Sequence, residues 1–133
     1  MTAVFADTYY FLALLHNGDA AHSKAVALAE RTTGAVLTTA WVLTEVADAL
    51  SAPQLRPSFL RLLQALRNDP ACTIVPPTAA LFDAGVSLFA GRSDKDWTLT
   101  DCTSFVVMRE YQITEALTGD RHFQQAGFTA LLL

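Results

Sequence analysis

Short apolar runs alternate with longer amphipathic segments along the whole chain, and this alternation limits the folds that the sequence can adopt. Runs of four or five mostly apolar residues, bounded by turn residues, predict strands. They lie at 3–6, 35–38, 72–75, 113–117 and 128–132. Strands that alternate with helices form a parallel sheet covered by helices. The predicted fold class is therefore α/β, with three layers (α/β/α) around a central parallel sheet of four to five strands.

The segments between these strands have helical periodicity or helix-start signals. We predict helices over 8–15, 20–31, 41–50, 58–67, 78–89, 98–111 and 121–126. Asp19 and Thr39 are the expected N-caps of the second and third helices, and Pro57 suits the first turn of the fourth. Because no linker or repeat interrupts the pattern, we expect residues 1–133 to form a single domain.

The composition is apolar for a chain of this size. Hydrophobic residues make up 52% of the 133 positions, and the mean hydropathy is +0.30. We therefore expect part of the surface to be covered by a partner, in a homodimer or a heterocomplex. No apolar run approaches the roughly 20 residues that span a bilayer, and the first seven residues do not resemble a secretory signal. The expected location is the cytoplasm, with no membrane association.

The cysteines and the net charge exclude some classes of site. Cys72 and Cys102 are far apart and lack metal-binding spacing, so we expect two reduced thiols and no zinc site. The formal net charge of −4 argues against a broad basic face for duplex DNA. It is compatible with a nuclease, because metal-binding carboxylates lower the total charge.

Four acidic residues occupy positions that an α/β sheet brings together. Asp7 follows the first strand and Asp120 follows the fourth. Glu45 lies about one turn into the helix after the second strand, and Asp101 lies in the first turn of the helix after the polar segment 91–96. Functional groups of open α/β sheets gather beyond the carboxyl ends of the strands. We therefore expect these four carboxylates to converge.

Each acid also has a structural alternative. Asp7 can cap the next helix, Asp120 can form a turn, and Thr98 with Asp101 matches a capping box. Glu45 and Asp101 nevertheless lie on apolar helix faces, where an uncompensated carboxylate costs several kcal/mol. Mg²⁺ or Mn²⁺ is the expected compensation, because hard cations prefer oxygen ligands. One or two such ions would activate water and stabilise a leaving oxygen, which points to phosphodiester hydrolysis.

Hydroxyl and acidic residues next to the four acids are candidates for supporting them. Thr8 and Thr98 can hydrogen-bond a metal ligand or a metal-bound water, and Asp96 can do so through water. Thr98 and Asp96 can equally cap the next helix. Asp48 is expected to be solvated.

Basic and aromatic residues supply candidates for substrate contacts. Arg92, Lys95 and Arg121 flank the expected site and can bind phosphate, or can simply solubilise the surface. Trp41 and Trp97 can stack on unpaired bases, and Trp41 can equally pack in the core or an interface. We assign no catalytic role to any histidine.

Two other α/β classes with phosphate chemistry do not fit. A response-regulator receiver needs a lysine beyond a late strand, and no lysine follows Lys95. A P-loop or dinucleotide-binding enzyme needs a glycine fingerprint after its first strand, whereas this strand is followed by Asp7, Thr8 and Tyr9.

Three segments together resemble a known family across essentially the whole chain. They read FADTYYFLALL, LTTAWVLTEVADAL and DKDWTLTDCTSFVVMREYQITEALTGDRHFQQAGF. They resemble the PIN domain, and more closely the VapC toxins of bacterial type II toxin–antitoxin systems. The last segment is the most specific. The chain departs from the family pattern at two places: TLTD replaces the commoner SLTD in the last segment, and Tyr9 follows Thr8 in the first.

The resemblance implies a function and a set of partners. The family's four acids fall on Asp7, Glu45, Asp101 and Asp120, which implies Mg²⁺ or Mn²⁺ binding and cleavage of RNA, often at a tRNA or rRNA loop. It also implies a homodimer and a cognate antitoxin that blocks the site. The alternative is a PIN-fold module that binds RNA or protein without cleaving it.

Overall fold

Five parallel strands form the centre of the computed structural model, which describes residues 3–133. Met1 and Thr2, which the single-domain prediction includes, lie outside the described residues. The strands are β1 (Val4–Ala6), β2 (Val36–Thr39), β3 (Cys72–Val75), β4 (Glu115–Leu117) and β5 (Thr129–Ala130). The helices are α1 (Thr8–Leu15), α2 (His22–Arg31), α3 (Ala40–Ala49), α4 (Arg56–Asn68), α5 (Ala79–Gly91), α6 (Leu99–Glu110) and α7 (Arg121–Gln125).

The sheet has the order β3-β2-β1-β4-β5, and every pairing is parallel. β1 is central because its residues are apolar throughout, and Phe5 and Ala6 are completely buried. Phe5 aligns with Leu37 of β2 and with Ala116 of β4. The carboxyl ends of β1, β2 and β4 therefore meet at one edge of the sheet. The predicted α/β fold class with a parallel sheet is confirmed.

The helix α6 is the most deeply buried helix, with seven of its twelve residues buried. It packs closely against α5 at Gly85, where an added Cβ would lie 2.5 Å from Cγ2 of Thr103. This close approach holds α6 against α5, and α6 carries the predicted site residue Asp101 in its first turn.

Several predicted boundaries move for identifiable reasons. Asp19 does not cap α2, since α2 begins at His22 and Asp19 Oδ1 instead accepts a hydrogen bond from the backbone N–H of Ala21 at 2.8 Å. β4 begins later than predicted because Gln112 has a left-handed backbone (φ 56°) and Ile113 donates its N–H to Met108 of α6. That N–H is therefore unavailable to the sheet.

The surface and the thiols complete the description. Exposed large apolar side chains lie on α4 and α5, among them Leu60, Phe82 and Phe89. Both cysteines are free thiols; Cys102 is buried and Cys72 is half-buried. Between residues 3 and 133, no helix is both long and apolar enough to cross a membrane.

Candidate metal-binding active site

Asp7 lies at the carboxyl end of the central strand and faces into the protein. Its backbone N–H donates to Leu117 O of β4 at 3.3 Å, so the ends of β1 and β4 are held side by side. Its side chain makes no capping hydrogen bond to α1. Instead, the hydroxyl of Thr118 donates to Asp7 Oδ2 at 2.8 Å. The carboxylate is therefore oriented by the end of β4 and not by the helix that follows it.

Burial makes ionisation of Asp7 unfavourable. The residue is 5% exposed, and desolvation is the largest cause that raises the pKa of its carboxyl to about 7. The negative charges of Asp101 and Asp120 raise this pKa further, while hydrogen bonds from Thr118 and the Thr8 backbone oppose the rise. Three of the predicted acids thus influence one another electrostatically.

Asp101 combines a capping role with a place in this acidic cluster. Thr98 and Asp101 form the predicted capping box at the start of α6. Asp101 Oδ2 accepts from the Thr98 backbone N–H at 3.1 Å and lies 2.8 Å from His122 Nδ1. Within the described part of the chain, no hydrogen bond engages Asp101 Oδ1. The capping role therefore leaves one oxygen available to a ligand.

Asp120 and His122 approach Asp101 from the first turn of α7. Asp120 N-caps this helix through its Oδ1, which accepts from the His122 backbone N–H at 2.9 Å. Asp101, Asp120 and His122 each present a ligand atom within 4.8 Å of the others. Desolvation acts to lower the pKa of His122, but the hydrogen bond to Asp101 and the charges of Asp120, Asp101 and Asp96 raise it overall.

Glu45 enters the site from α3 through a contact with α1. Its Oε1 accepts a hydrogen bond from the hydroxyl of Thr8, the residue after Asp7. Glu45 is half-buried, whereas Asp48, one turn further along the helix, is exposed. Neither Asp7 nor Glu45 belongs to the tight triad of Asp101, Asp120 and His122. Asp7, at the carboxyl end of β1, is influenced by the charges of Asp101 and Asp120, and Glu45 on α3 is connected to Asp7 through the next residue, Thr8.

The donor set fits a hard divalent cation. Among residues 3–133, the predicted acids form no ion pair with a lysine or an arginine; the imidazole of His122 lies 2.8 Å from Asp101 and 3.5 Å from Asp120. Asp101, Asp120 and Glu45 are each anchored through a single oxygen. Each of these carboxylates therefore keeps one oxygen for a ligand. Mg²⁺ and Mn²⁺ prefer such oxygen donors.

The predicted phosphate-binding residues differ in availability. Arg92 is paired with Asp94 at 2.9 Å, and its guanidinium lies 4.8 Å from the centre of the Trp97 ring. Lys95 is half-buried in the same loop. Arg121 is exposed in the first turn of α7, next to Asp120. Of the three predicted phosphate-binding residues, Arg121 is the exposed one, and it directly follows Asp120 of the acidic cluster.

The prediction that Trp97 can offer a stacking face is wrong. The residue is 3% exposed, its indole N–H donates to Gln125 Oε1 at 3.0 Å, and its ring packs edge-on against Phe105. Trp41 is half-buried. Asp96 and Thr98 are exposed at the entrance to α6, where the charge of Asp96 acts on His122.

Sequence reasoning misses two members of this cluster. His122 lies in the segment that carries the family resemblance, but no catalytic base role is assigned to it from the sequence; its position two residues after a capping aspartate places it 3.5 Å from that carboxylate. Thr118 looks like an ordinary turn residue, but it is a hydroxyl residue at the end of a strand that neighbours β1. The signal for both is their place at the carboxyl edge of the sheet.

The fold and the site define a class: a parallel α/β protein with a cluster of carboxylates at the carboxyl edge of its sheet. Comparison with protein families then gives the identity within that class. The PIN domain family model matches residues 4–129, and the chain therefore belongs to the PIN-domain family.

Known relatives and solved structures agree with this assignment. Two curated relatives, from Mycobacterium tuberculosis strains CDC 1551 / Oshkosh and ATCC 25618 / H37Rv, are each called 23S rRNA-specific endonuclease VapC20. Each is 29% identical over 125 residues, which cover 94% of this chain and 95% of the relative. The crystal structure of M. tuberculosis VapC20, a sarcin–ricin loop cleaving toxin, has a TM-score of 0.86 and 28% identity, and covers 95% of this chain and 96% of that one.

A more distant solved structure shares the fold. The crystal structure of FitAcB from Neisseria gonorrhoeae has a TM-score of 0.65 and 18% identity to this chain. The match covers 96% of this chain and 94% of that one. The architecture is therefore common to both proteins.

Proposed function

We propose that this chain is a metal-dependent endoribonuclease and the toxin of a toxin–antitoxin pair. The proposal is supported by the group of Asp101, Asp120 and His122 beside the buried Asp7, without a lysine or arginine ion pair among the described residues. Glu45 is linked to the same region through its hydrogen bond with Thr8. The PIN-domain assignment and the VapC20 relatives support the same activity.

Asp7, Glu45, Asp101 and Asp120 are the residues that would hold Mg²⁺ or Mn²⁺, with the imidazole of His122 beside them. Such an ion, when bound, activates water and stabilises the leaving oxygen of a phosphodiester. The contribution of the chain is to fix its carboxylates before the substrate arrives, because preorganised groups need no rearrangement during the reaction.

Hydrogen bonds from neighbouring residues provide this preorganisation. The hydroxyl of Thr118 holds Asp7, and the hydroxyl of Thr8 holds Glu45. The backbone N–H of Thr98 fixes Asp101. Hydrogen bonds of this kind to charged groups contribute about 1.5–3 kcal/mol each.

The substrate and partners follow from the relatives and the surface. We propose an RNA loop as substrate, and specifically an rRNA loop, because both curated relatives act on 23S rRNA according to their names. Arg121 and Lys95 are the proposed phosphate contacts, with Arg92 available once it leaves Asp94. The exposed apolar residues of α4 and α5 support a homodimer and a protein antitoxin as partners. The cytoplasm, where ribosomes are found, is the proposed location.

The test is cleavage of RNA by the purified chain in Mg²⁺, Mn²⁺ or EDTA. Substrates are intact ribosomes, isolated 23S rRNA and total tRNA, with Asp7→Asn as the inactive variant. We expect discrete cuts that require the metal and that the variant does not make. A folded wild-type protein that binds these RNAs but leaves them all uncut would favour the alternative, a PIN-fold binding module.

A further inference from the structure

Tyr9 is an exposed aromatic residue at the mouth of the acidic site. It lies in the first turn of α1, two residues after Asp7 and directly after Thr8, and 41% of it is exposed. Within residues 3–133, its hydroxyl takes part in no hydrogen bond. The ring of Tyr9 therefore leaves apolar surface in contact with water. Its neighbour Tyr10, by contrast, is buried.

The ring is seated on the loop that carries Asp120. If Gly119 had a Cβ, that atom would lie 2.5 Å from Cζ of Tyr9, 2.7 Å from Cε1 and 2.8 Å from the hydroxyl oxygen. Any side chain at 119 would therefore displace the ring. Gly119 has no left-handed backbone that requires glycine, and the contact with the ring of Tyr9 is the constraint that the structure shows at this position.

Other aromatic residues near the acids cannot take the same role. Trp97, Phe105 and Phe123 are buried in one packed group, with ring centres about 5 Å apart (5.0 Å for Trp97 and Phe105, 4.9 Å for Phe105 and Phe123). In the first turns of α1, α6 and α7, as far as the structure describes them, Tyr9 alone presents an exposed ring.

We propose that the ring of Tyr9 is a stacking platform for an unpaired base of the RNA, next to the phosphate that is cleaved. This inference rests on the proposed ribonuclease function. Single-stranded RNA is recognised by stacking of its bases on exposed aromatic rings. The ring lies against Gly119, the residue before Asp120, and Tyr9 is two residues after Asp7. A phosphate bound at these carboxylates would therefore have the ring close to its neighbouring base.

The test is the affinity for short fluorescein-labelled single-stranded RNAs, measured by anisotropy in the Asp7→Asn background so that no cleavage occurs. We expect Tyr9→Leu to raise the Kd about tenfold, because it removes one stacked base. Tyr9→Phe keeps the ring and should retain most of the affinity. Tyr111→Leu is the matched control, since Tyr111 is similarly exposed but lies at the far end of α6.

Two further measurements separate stacking from a structural effect. Gly119→Ala retains the tyrosine but displaces its ring, so it should also weaken binding, and the Tyr9→Leu/Gly119→Ala double variant should bind no worse than Tyr9→Leu alone. A set of RNAs, each with a single abasic position, tests which base stacks on the ring. At one position, loss of the base should weaken binding to the protein with Tyr9 but leave binding to the Tyr9→Leu variant unchanged.

Equal RNA affinity with and without the Tyr9→Leu substitution would overturn the inference. That result is distinguishable from failure of the proposed function. In the latter case, the wild-type protein cuts no RNA with any metal, whether or not it binds RNA and whatever residue occupies position 9.

Discussion

The raised pKa of Asp7 makes the stability of the metal-free protein depend on pH in a specific direction. An unfolded chain ionises this carboxyl near pH 3.8, whereas the folded protein holds its proton up to about pH 7. Between these values the folded state binds more protons, so the free energy of unfolding falls as the pH rises. Below pH 3.8 and above pH 7 the contribution of Asp7 is constant.

The size of this effect follows from the two pKa values. The gap between 3.8 and about 7, at about 1.4 kcal/mol for each pH unit, amounts to about 4 kcal/mol. The Asp7→Asn variant cannot ionise, and its amide oxygen can still accept the hydrogen bond from Thr118. At pH 8 without metal, we therefore expect the variant to be more stable than the wild type, by about 1–3 kcal/mol after the cost of burying the amide N–H groups.

The assay is urea unfolding of both proteins in EDTA at several pH values between 4.5 and 8. His122 also has a raised pKa and gives a slope of the same sign, but it is present in both proteins. The difference between the two proteins therefore isolates Asp7. Parallel stability curves for wild type and variant, or a variant that is less stable at pH 8, would refute the reasoning. Added Mn²⁺ should reverse the order at pH 8, because it binds more tightly to the protein that keeps all four acids and therefore stabilises it more.

Three other predictions concern packing, positioning and substrate contact. Gly85→Ala should lower the free energy of unfolding by about 1–3 kcal/mol, because the added methyl group overpacks the contact with Thr103. Thr103→Ser removes the clashing methyl group, so the double variant should recover most of that loss. Urea unfolding checks both. Thr118→Val should weaken Mn²⁺ binding measured by calorimetry while the fold is retained, because Asp7 loses the hydroxyl that orients it; unchanged affinity would argue against this positioning role. Arg121→Ala should weaken RNA binding at every sequence and reduce the slope of log Kd against log salt by about 1 if it contacts a phosphate; an unchanged slope would remove it from the interface.

Much of the fold was predictable because local patterns and the sheet agree. The strand β3 has the predicted bounds, and Thr39 caps α3 as expected. Periodicity decides which segments are strands and helices, and parallel topology then brings the strand ends together. The cap assigned to Asp19 failed because the same side chain satisfies a turn that precedes the helix.

Contacts within the site were less predictable because they depend on tertiary approach. Asp101 illustrates this, since its Oδ2 both accepts the hydrogen bond of the capping box and contacts His122 of the acidic cluster, and only the first of these was visible in the local sequence. The hydrogen bonds from Thr8 to Glu45 and from Thr118 to Asp7 join residues 37 and 111 positions apart. No local pattern encodes such pairs.

The most direct test of the proposed site compares two acids on one helix. Glu45 is half-buried and hydrogen-bonded to Thr8, and Asp48 lies exposed one turn further along α3. The measurement is the rate of Mn²⁺-dependent RNA cleavage by Glu45→Gln and Asp48→Asn, side by side with the wild type. We predict that Glu45→Gln loses nearly all cleavage and that Asp48→Asn cleaves at the wild-type rate. Equal rates for the two variants would contradict a site built by convergence of these four acids.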